Sequence, residues 1–398
     1  MAGVSTRAAA ESAARAGFDV TAIDAFADID QHPSVRASCV RPFSPDGAVR
    51  AARAVGCDAA VYLSNFENHP EAVRELSAGR QLWGNAPDVL RRVRDPVGLA
   101  QTLRDGGIST PRVVRPKAAT FAERPHTRLQ PAAAIGAGRA IDARTWLIKP
   151  LASGGGHGVA VWNRDAPVRD GCCLQEFVEG WPGSMVFVAA NRSVVPLGVC
   201  RQLIGDGAFG ATGYRYCGSI LIAGTGGDDD LIVAAGTAAR AVVEAFDLVG
   251  LNGLDFIARD GLPHIVEVNP RWTASVELVE RAYGLPAFSA HAGACLRREL
   301  PSFDLNQVRR GAVHGKAVVF AREDVRVGDT TGWPVDDMVR DVPHPGDEIR
   351  AGRPICTVFA TGNSDAGCYA ALVRRAEIVY AELAASASVP GSGMRENR

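Results

Sequence analysis

The sequence lacks a strong excess of charge of either sign. Its 43 lysines and arginines nearly balance its 44 aspartates and glutamates, so the formal net charge of the 398-residue chain is −1. No broad positive field is therefore available to hold nucleic acid or anionic lipid, and a local basic patch would serve a small anion rather than a polymer. We expect neither nucleic acid nor a membrane among the partners.

Long apolar runs and regularly spaced cysteines are missing as well. No apolar stretch reaches the roughly 18 residues of a membrane span. The start Met1-Ala2-Gly3-Val4 lacks the basic and apolar segments of a signal peptide. The nine cysteines contain no Cys-x-x-Cys pair, and their odd number and spacing argue against a zinc site or a disulfide framework. Reduced thiols in a cytoplasmic protein are the expectation.

The remaining composition is ordinary for a folded protein, with 47% hydrophobic and 22% charged residues. The length allows more than one domain at about 100–200 residues each. Near the start, helix-like segments at 8–16 and 51–55 alternate with strand-like segments at 18–23 and 59–63. This alternation predicts a parallel sheet with helices on both faces. Few apolar residues precede Gly3, so we expect a clipped first strand, as a start codon assigned too late would leave.

A glycine-rich hairpin follows a segment without periodicity. Residues 116–143 are rich in Ala, Pro, Gly and Arg and are predicted to be a connector. A strand at 145–149, the turn Ser153-Gly154-Gly155-Gly156-His157-Gly158 and a return strand at 159–162 predict a hairpin with a glycine-rich tip. Further strands are predicted at 172–178, 185–190 and 194–201.

A second hairpin lies in the later part of the chain. Strands at 253–258 and 264–268 are joined by the turn signal Asp260-Gly261. Helices are predicted at 232–246, 276–283 and 368–385, and the region 312–360 is rich in predicted strands.

The second hairpin carries three oxygen-bearing side chains. Glu267 and Asn269 differ by two positions and share a face of their strand. Asp255 on the preceding antiparallel strand can point to the same side. Such a set suits magnesium, which takes carboxylates together with phosphate oxygens. Arg271 follows at the strand end, where its fixed charge can stabilise phosphate or an oxyanion. A solvated strand face beside a turn is the alternative for either acid alone.

Lys149 ends a strand directly before the glycine-rich turn. A lysine there reaches phosphates as a point charge, and the glycines allow backbone N–H groups to approach phosphate closely. The turn is not a Walker motif, because it lacks Gly-Lys-Ser/Thr and is followed by a strand rather than a helix. An ordinary flexible hairpin tip is the alternative for the glycines alone.

The stretch Gln175-Glu176-Phe177-Val178-Glu179-Gly180 predicts a strand running into a loop. An extended backbone offers N–H and C=O groups that can bind an adenine edge. The alternative is a half-buried strand with Phe177 and Val178 in the core.

These elements together resemble the ATP-grasp superfamily. Their order and spacing match the family over roughly residues 90–300, and the opening α/β segment matches its preceding domain. The resemblance implies a fold of the α/β and α+β classes, which we divide as follows: a parallel α/β pre-ATP-grasp domain at 1–115, a linker and central α+β subdomain with the glycine loop at 116–205, a second α+β subdomain with the metal site at 206–305, and a β-rich module with a final helix and a frayed tail at 306–398.

The resemblance also implies roles for single residues. Lys149 resembles the phosphate-binding lysine and, with Arg271, a catalytic cation that holds the transferring group. Asp255, Glu267 and Asn269 resemble the magnesium ligands. The remaining nucleotide contacts would be Gly154, Gly155 and Gly156 over the phosphates, Gln175, Glu176 and Val178 at the adenine, and Ser184 at the ribose.

A narrower resemblance is to the ATP-grasp carboxylate–amine ligases of methylotroph one-carbon metabolism, which are similar to tyramine–glutamate ligase. It rests on Gly3-Val4-Ser5-Thr6-Arg7, on residues 175–180 and on the segment from Pro343-His344-Pro345-Gly346 to Pro354-Ile355-Cys356.

Two departures from the family are visible. Many relatives have Asp-Lys where this chain has Asp95-Pro96, so Arg94 or Lys117 is the candidate replacement for the first phosphate-binding lysine. Many also have a ribose-binding glutamate shortly after the hinge, where this chain offers Ser184 or Glu179.

The resemblance implies ATP-dependent joining of a carboxylate to an amine through an acyl-phosphate. The narrower resemblance adds glutamate as the candidate carboxylate, joined to an amine in a one-carbon cofactor pathway. ATP and Mg²⁺ are the expected cofactors, with Mn²⁺ as a substitute for Mg²⁺. A homodimer is the candidate oligomeric state. Two alternatives stay open. One is carboxylation through carboxyphosphate. The other is an ATP-binding regulatory protein without turnover, which is favoured by the absence of the family's lysine at Pro96.

The substrate residues are less defined by the sequence. Ser5, Thr6 and Arg7 lie at the expected carboxyl edge of the first sheet, where they would bind a substrate carboxylate or cap a helix. Arg201 and Tyr214 are candidates near the loop at 205–218, with a structural role as the alternative.

Overall fold

The computed structural model describes residues 1–115, 145–164, 166–223, 228–309 and 311–387. The predicted connector at 116–143, Lys117 within it and the tail beyond 387 lie outside these residues. The described helices are α1 (Arg7–Arg15), α2 (Pro45–Ala52), α3 (Pro70–Leu76), α4 (Pro87–Val93), α5 (Pro96–Asp105), α6 (Asp229–Phe246), α7 (Ala274–Tyr283), α8 (Ala287–Arg297), α9 (Leu305–Val308) and α10 (Asp365–Ala387).

The described strands form one large and several small sheets. They are β1 (Thr21–Asp24), β2 (Arg36–Cys39), β3 (Ala59–Ala60), β4 (Gln81–Leu82), β5 (Val113–Val114), β6 (Trp146–Pro150), β7 (Ala160–Val161), β8 (Cys172–Glu176), β9 (Trp181–Ala190), β10 (Ser193–Ile204), β11 (Tyr216–Leu221), β12 (Gly250–Arg259), β13 (Leu262–Asn269), β14 (Val313–Phe320), β15 (Val325–Arg326), β16 (Val339–Arg340), β17 (Glu348–Ile349) and β18 (Pro354–Gly362).

The N-terminal region is a parallel α/β unit. Ala2 bridges Ile23 and Tyr62 in parallel, β1 pairs with β2, and β3 pairs with β4. The small alanines of α1 lie almost fully buried against this unit and α8, which allows close packing of the helix. Gly17 ends α1 with a φ of 85°, a conformation that glycine adopts without strain. The helix predicted to run to residue 55 ends instead at Ala52, where a turn begins.

An eight-stranded sheet forms the body of the molecule, in the order β13-β12-β9-β10-β11-β14-β18-β16. Its central strand β9 is apolar on both faces. Met185 and Phe187 pack toward α6, while Val186 and Val188 pack toward α7 and α8. Because side chains alternate along a strand, a continuous apolar run is required where both faces are covered. The α/β and α+β fold class predicted from the sequence is confirmed.

The large sheet crosses two of the predicted domain boundaries. Strands from before residue 205 and from after residue 306 hydrogen-bond within it, and α10 packs on β14 and β18. The glycine hairpin belongs to a separate four-stranded sheet in the order β5-β8-β6-β7. The domain boundaries therefore stay a prediction. No described helix is long and apolar enough to cross a membrane.

Candidate active site

The hairpin of β12 and β13 brings the three predicted metal ligands together. In its register Asp255 lies opposite Glu267, and Gly253 lies opposite Asn269. The Asn269 amide donates a hydrogen bond to Asp255 Oδ2 at 2.8 Å, and Gln202 Nε2 donates to Asp255 Oδ1 at 3.0 Å. The local pairing that the sequence indicated thus produces one polar face. The role of these residues as metal ligands stays a prediction.

The two carboxylates of this face have opposite electrostatic surroundings. Burial and the neighbouring Glu267 raise the pKa of Asp255 to about 7. Burial also acts to raise the pKa of Glu267, but the charges of Arg94 and Lys149 outweigh it and leave that pKa lowered. A cation between the two groups would favour the ionised form of Asp255.

The donor set fits a hard cation that is only partly held by protein. Among the described residues no group of three or more His, Cys, Asp and Glu side chains is placed to hold a metal. The hairpin offers two carboxylates and one amide oxygen. Magnesium commonly binds through one or two carboxylates plus phosphate oxygens, so this set suits magnesium bound with a nucleotide better than a structural metal.

Lys149 is held beside this face by a buried glutamine. Its Nζ donates to Gln175 Oε1 at 3.1 Å and lies 4.0 Å from Glu267 Oε2. Gln175 Nε2 in turn donates to the carbonyl of Val266 at 3.2 Å. Gln175 therefore links the small sheet to β13 and orients the lysine, a contact that its place in the predicted hinge did not indicate.

The glycine-rich turn docks on the segment before β11. The Gly155 carbonyl accepts a hydrogen bond from the Tyr216 amide at 3.0 Å. Gly156 has a φ of 74°, and a Cβ at this position would collide with the carbonyl oxygen of Tyr214. Glycine is therefore required here both by conformation and by space.

Arg271 is paired with a residue that sequence reasoning missed. Its Nε lies 2.7 Å from Oε1 of Glu67, which is 1% exposed, and its Nη1 donates to the Trp272 carbonyl at 2.9 Å. Glu67 lies in a short 3₁₀ segment, Phe66–Asn68, with no pattern that marks it as functional. Only the tertiary structure brings it to Arg271.

Arg94, a candidate for the missing phosphate cation, is bound to the metal face. It donates to the Glu267 carboxylate, to the Val268 carbonyl at 3.0 Å and to Asn68 Oδ1 at 2.8 Å. It is not among the residues that line the cavity described next. Its replacement of the family lysine stays a prediction, and Lys117 lies outside the described residues.

One cavity of about 1800 Å³ is lined by all twelve residues that the resemblance assigns to catalysis, nucleotide binding and metal binding. Those residues are Lys149, Gly154, Gly155, Gly156, Gln175, Glu176, Val178, Ser184, Asp255, Glu267, Asn269 and Arg271. Segments up to 122 positions apart in the chain thus face the same space, from Lys149 to Arg271. Their juxtaposition, which the resemblance to the ATP-grasp superfamily implied, is a feature of the fold, and their roles stay a prediction.

The nucleotide contacts are partly constrained by existing hydrogen bonds. The Glu176 amide donates to the Arg112 carbonyl at 2.8 Å, so a hinge contact to adenine would use other backbone groups. Ser184 lies on β9 opposite Asp255, and its buried hydroxyl has no hydrogen-bond partner within the part of the chain that the structure describes. Glu179, the alternative ribose residue, is not part of the cavity lining.

The remaining substrate candidates are placed differently. Arg7 is fully buried in ion pairs, which removes it as a free partner for a carboxylate, and the Thr6 hydroxyl donates to Asp24 Oδ2 at 2.6 Å rather than capping α1. Arg201 stacks on the Trp181 ring with 4.3 Å from Cζ to the ring centroid. Ser5 and Tyr214 line the cavity.

Comparison with known proteins matches part of the chain to a protein family. Residues 93–275 match the family model described as ATP-grasp domain. A stretch of 122 residues is 30% identical to an uncharacterized protein of Methanocaldococcus jannaschii, covering 31% of this chain and 29% of that protein. The chain thus spans less than a third of the curated relative in this match. The family model matches less than half of the 398-residue chain.

Two solved structures share the fold over nearly the whole chain. An L-amino acid ligase from Bacillus licheniformis is 16% identical with a TM-score of 0.67, covering 95% of this chain and 96% of that one. The biotin carboxylase domain dimer of the Hydrogenobacter thermophilus 2-oxoglutarate carboxylase, in complex with MgADP, ADP and bicarbonate, is 13% identical with a TM-score of 0.67, covering 94% and 87%. At these identities the likeness shows the shared fold.

Proposed function

We propose that the protein is an ATP-dependent ligase that activates a carboxylate as an acyl-phosphate and joins it to an amine. The observation that carries the proposal is the single cavity lined by two carboxylates, an amide, a lysine, an arginine and a glycine loop. ATP-grasp structures related to this chain include an amino acid ligase and a carboxylase complexed with MgADP.

The reaction has two balanced steps. A carboxylate oxygen of the substrate attacks the γ-phosphorus of ATP, and ADP leaves. An amine nitrogen then attacks the carbonyl carbon of the acyl-phosphate, loses a proton and expels inorganic phosphate, which forms the amide.

The side chains of the cavity would position these groups. Asp255, Glu267 and Asn269 would hold magnesium, which supplies charge neutralisation at the phosphate oxygens when bound. Lys149 and Arg271 would hold the transferring phosphoryl group and the charge that develops on it. The glycine turn would cover the phosphates with backbone N–H groups and exclude water, which otherwise hydrolyses an acyl-phosphate.

The finer features of the proposal come from the resemblance to the methylotroph ligases. They are glutamate as the carboxylate substrate and a place in a one-carbon cofactor pathway. Manganese, which shares the oxygen preference of magnesium, would substitute for it. The nine free cysteines support a reducing compartment such as the cytoplasm. By analogy with the Hydrogenobacter domain dimer, we propose that this chain also forms a homodimer.

ADP release in the presence of glutamate and a panel of primary amines tests the proposal. The double variant Asp255→Asn, Glu267→Gln should lose amine-dependent ADP release. Asp260→Asn, at the exposed turn of the same hairpin, is the matched control and should retain it. Full activity of the double variant would contradict the metal role. ADP release that depends on bicarbonate would instead identify a carboxylase, and ATP binding without ADP release a regulatory protein.

A further inference from the structure

A second buried cluster of charges lines the same cavity, and the reaction proposed above does not use it. We call it the acidic pocket and define it by Asp28, Glu277, Lys316 and Asp341, all of which line the cavity. They come from the N-terminal unit, from α7, from β14 and from the segment after β16. Arg7 lies behind them, fully buried.

Ion pairs tie these distant segments together. Arg7 Nη2 lies 2.6 Å from Glu277 Oε1, and Arg7 Nε lies 2.8 Å from Asp341 Oδ1. Lys316 Nζ lies 2.7 Å from Glu277 Oε2. The Thr357 hydroxyl donates to Asp341 Oδ2 at 2.6 Å. The carboxylates of Glu277 and Asp341 are therefore already neutralised and hydrogen-bonded within the protein.

The cluster as a whole has more acids than bases. Its carboxylates are those of Glu11, Asp28, Asp30, Glu277 and Asp341, and its cations are those of Arg7, Lys316 and Arg340. Two further ion pairs surround the cluster, Arg15 with Glu280 and Arg281 with Asp337. Each pair adds one positive and one negative charge. The outward pairs therefore leave the acidic excess at the cavity unchanged.

Asp28 is 6% exposed and lines the cavity. Its Oδ2 is buried and has no hydrogen-bond partner among the described residues. Burial, together with the charges of Asp341, Asp30 and Asp24, raises the pKa of Asp28 well above its usual range, against a lowering effect of Arg7. A buried carboxyl without a partner is costly to the fold, and such groups are normally paired. A cation from outside the chain would satisfy it.

The pocket is continuous with the candidate active site. The cavity lining runs from Arg271 through residues 272–275 at the start of α7 to Glu277 and Lys316. Its volume of about 1800 Å³ exceeds the roughly 300–1,000 Å³ of a pocket for one small ligand. There is room for a second substrate beside a nucleotide.

We propose that the acidic pocket binds the amine substrate in its ammonium form, with Asp28 as the counter-ion, and that the nitrogen loses a proton to water before it attacks the acyl-phosphate. This inference rests on the proposed ligase function for the identity of the ligand as a substrate. An ammonium group matches the pocket because it brings one positive charge and three donors to an acid that lacks both. A neutral or anionic ligand would leave the charge excess unrelieved.

Direct binding separates this inference from turnover. The full chain is titrated by calorimetry with butylamine, 1,4-diaminobutane and phenethylamine, each compared with the alcohol of the same carbon skeleton. We expect at least one amine to bind, with its alcohol bound more weakly. Asp28→Asn should weaken amine binding about tenfold to a hundredfold, the loss of one charge-assisted hydrogen bond. Alcohol binding should not change.

Matched variants control for the fold. Asp58→Asn, at an exposed aspartate of the same N-terminal unit, should bind amine like the wild type. The melting temperature of Asp28→Asn should equal or exceed that of the wild type, because the variant removes an unpaired acid. If Asp28→Asn fails to fold, Asp28→Ser removes the carboxylate within a smaller volume and carries the same test.

Two results would overturn the inference: no amine binds the wild type, or Asp28→Asn binds amine as tightly as the wild type does. Activity distinguishes its failure from that of the ligase. Amine-dependent ADP release with an unchanged KM for amine in Asp28→Asn would reject the pocket and retain the ligase. Amine binding at Asp28 without any ADP release would retain the pocket and reject the ligase.

Discussion

Two charged clusters line one cavity and differ in how their carboxylates are compensated. In the metal face, Asp255 lies opposite a second acid and its pKa is raised to about 7. In the acidic pocket, Glu277 is buried between Arg7, Lys316 and Arg281, and its pKa is lowered well below the usual range although burial opposes this. One acid awaits a cation, whereas the other already has its cations from the chain. Asp255 therefore suits ligand binding, whereas Glu277 suits cohesion of the fold and leaves Asp28 as the ligand-binding acid of its cluster.

The largest expected effect is a loss of protein stability when Glu277 is replaced. Glu277→Gln leaves Arg7 and Lys316 buried without their shared carboxylate. Removing one member of a buried ion pair typically costs about 3–5 kcal/mol, so we expect a loss of that size in the free energy of unfolding. Urea unfolding at pH 7 measures it.

The control for this variant is Glu244→Gln, an exposed position on α6, which should change stability by less than about 0.5 kcal/mol. Equal stability of Glu277→Gln and wild type would mean that the buried cations are held by other groups.

The two clusters also differ in what sequence alone can predict. The metal face is local, because Asp255, Glu267 and Asn269 lie on one hairpin whose alternation and turn are visible in the sequence. Lys149 and the glycine turn were identified by their own short pattern. The acidic pocket joins residues as far apart as Arg7 and Asp341, and no short pattern marks such a pair. Strands β14 and β18 belong to the predicted C-terminal β-rich module, and no pattern in the sequence indicated that they hydrogen-bond within the main sheet.

The next effect is on activity and concerns Lys149. Replacing it by methionine in Lys149→Met removes the charge near Glu267 and the donor to Gln175, while keeping similar bulk. If the lysine holds the transferring phosphoryl group, amine-dependent ADP release should fall about a hundredfold to a thousandfold. Stability should change little, since the lysine makes one side-chain hydrogen bond and one long ion pair with the residues that the structure describes.

The charge-preserving variant Lys149→Arg sharpens this test. It should recover part of the activity if charge alone matters, and less if the point charge of lysine is needed at one place. Activity of Lys149→Met close to wild type would remove Lys149 from the site.

A smaller effect follows from the titration of Asp255. Because the pKa of Asp255 is about 7 in the folded protein and 3.8 is its ordinary value, the folded state binds more protons between pH 4 and pH 7. Stability contributed by this group therefore falls as the pH rises through that range. Asp255→Asn should melt at the wild-type temperature near pH 4 and about 2–4 °C higher near pH 7.

Magnesium with an ATP analogue should reverse this difference in melting temperature between Asp255→Asn and the wild type. Its stabilisation of the wild type should grow from pH 6 to pH 8 as Asp255 ionises, and Asp255→Asn should lack this growth. A stabilisation by magnesium that is independent of pH in both proteins would place the cation elsewhere.

The smallest expected effect concerns the link between Arg271 and Glu67. Glu67 is 1% exposed and lies 2.7 Å from Arg271 Nε, but it belongs to the rear of the site rather than to the metal face. In Glu67→Gln the arginine keeps a neighbouring side chain of similar size and loses the opposite charge of the ion pair, so its orientation weakens while its own charge remains. We expect kcat to fall about tenfold, with the KM for ATP within about twofold, because a positioning residue acts on the transition state.

Glu67→Asp restores the charge at a greater distance and should recover part of kcat. A fall in stability without a change in kcat would instead assign Glu67 to the fold, as Glu277 is assigned.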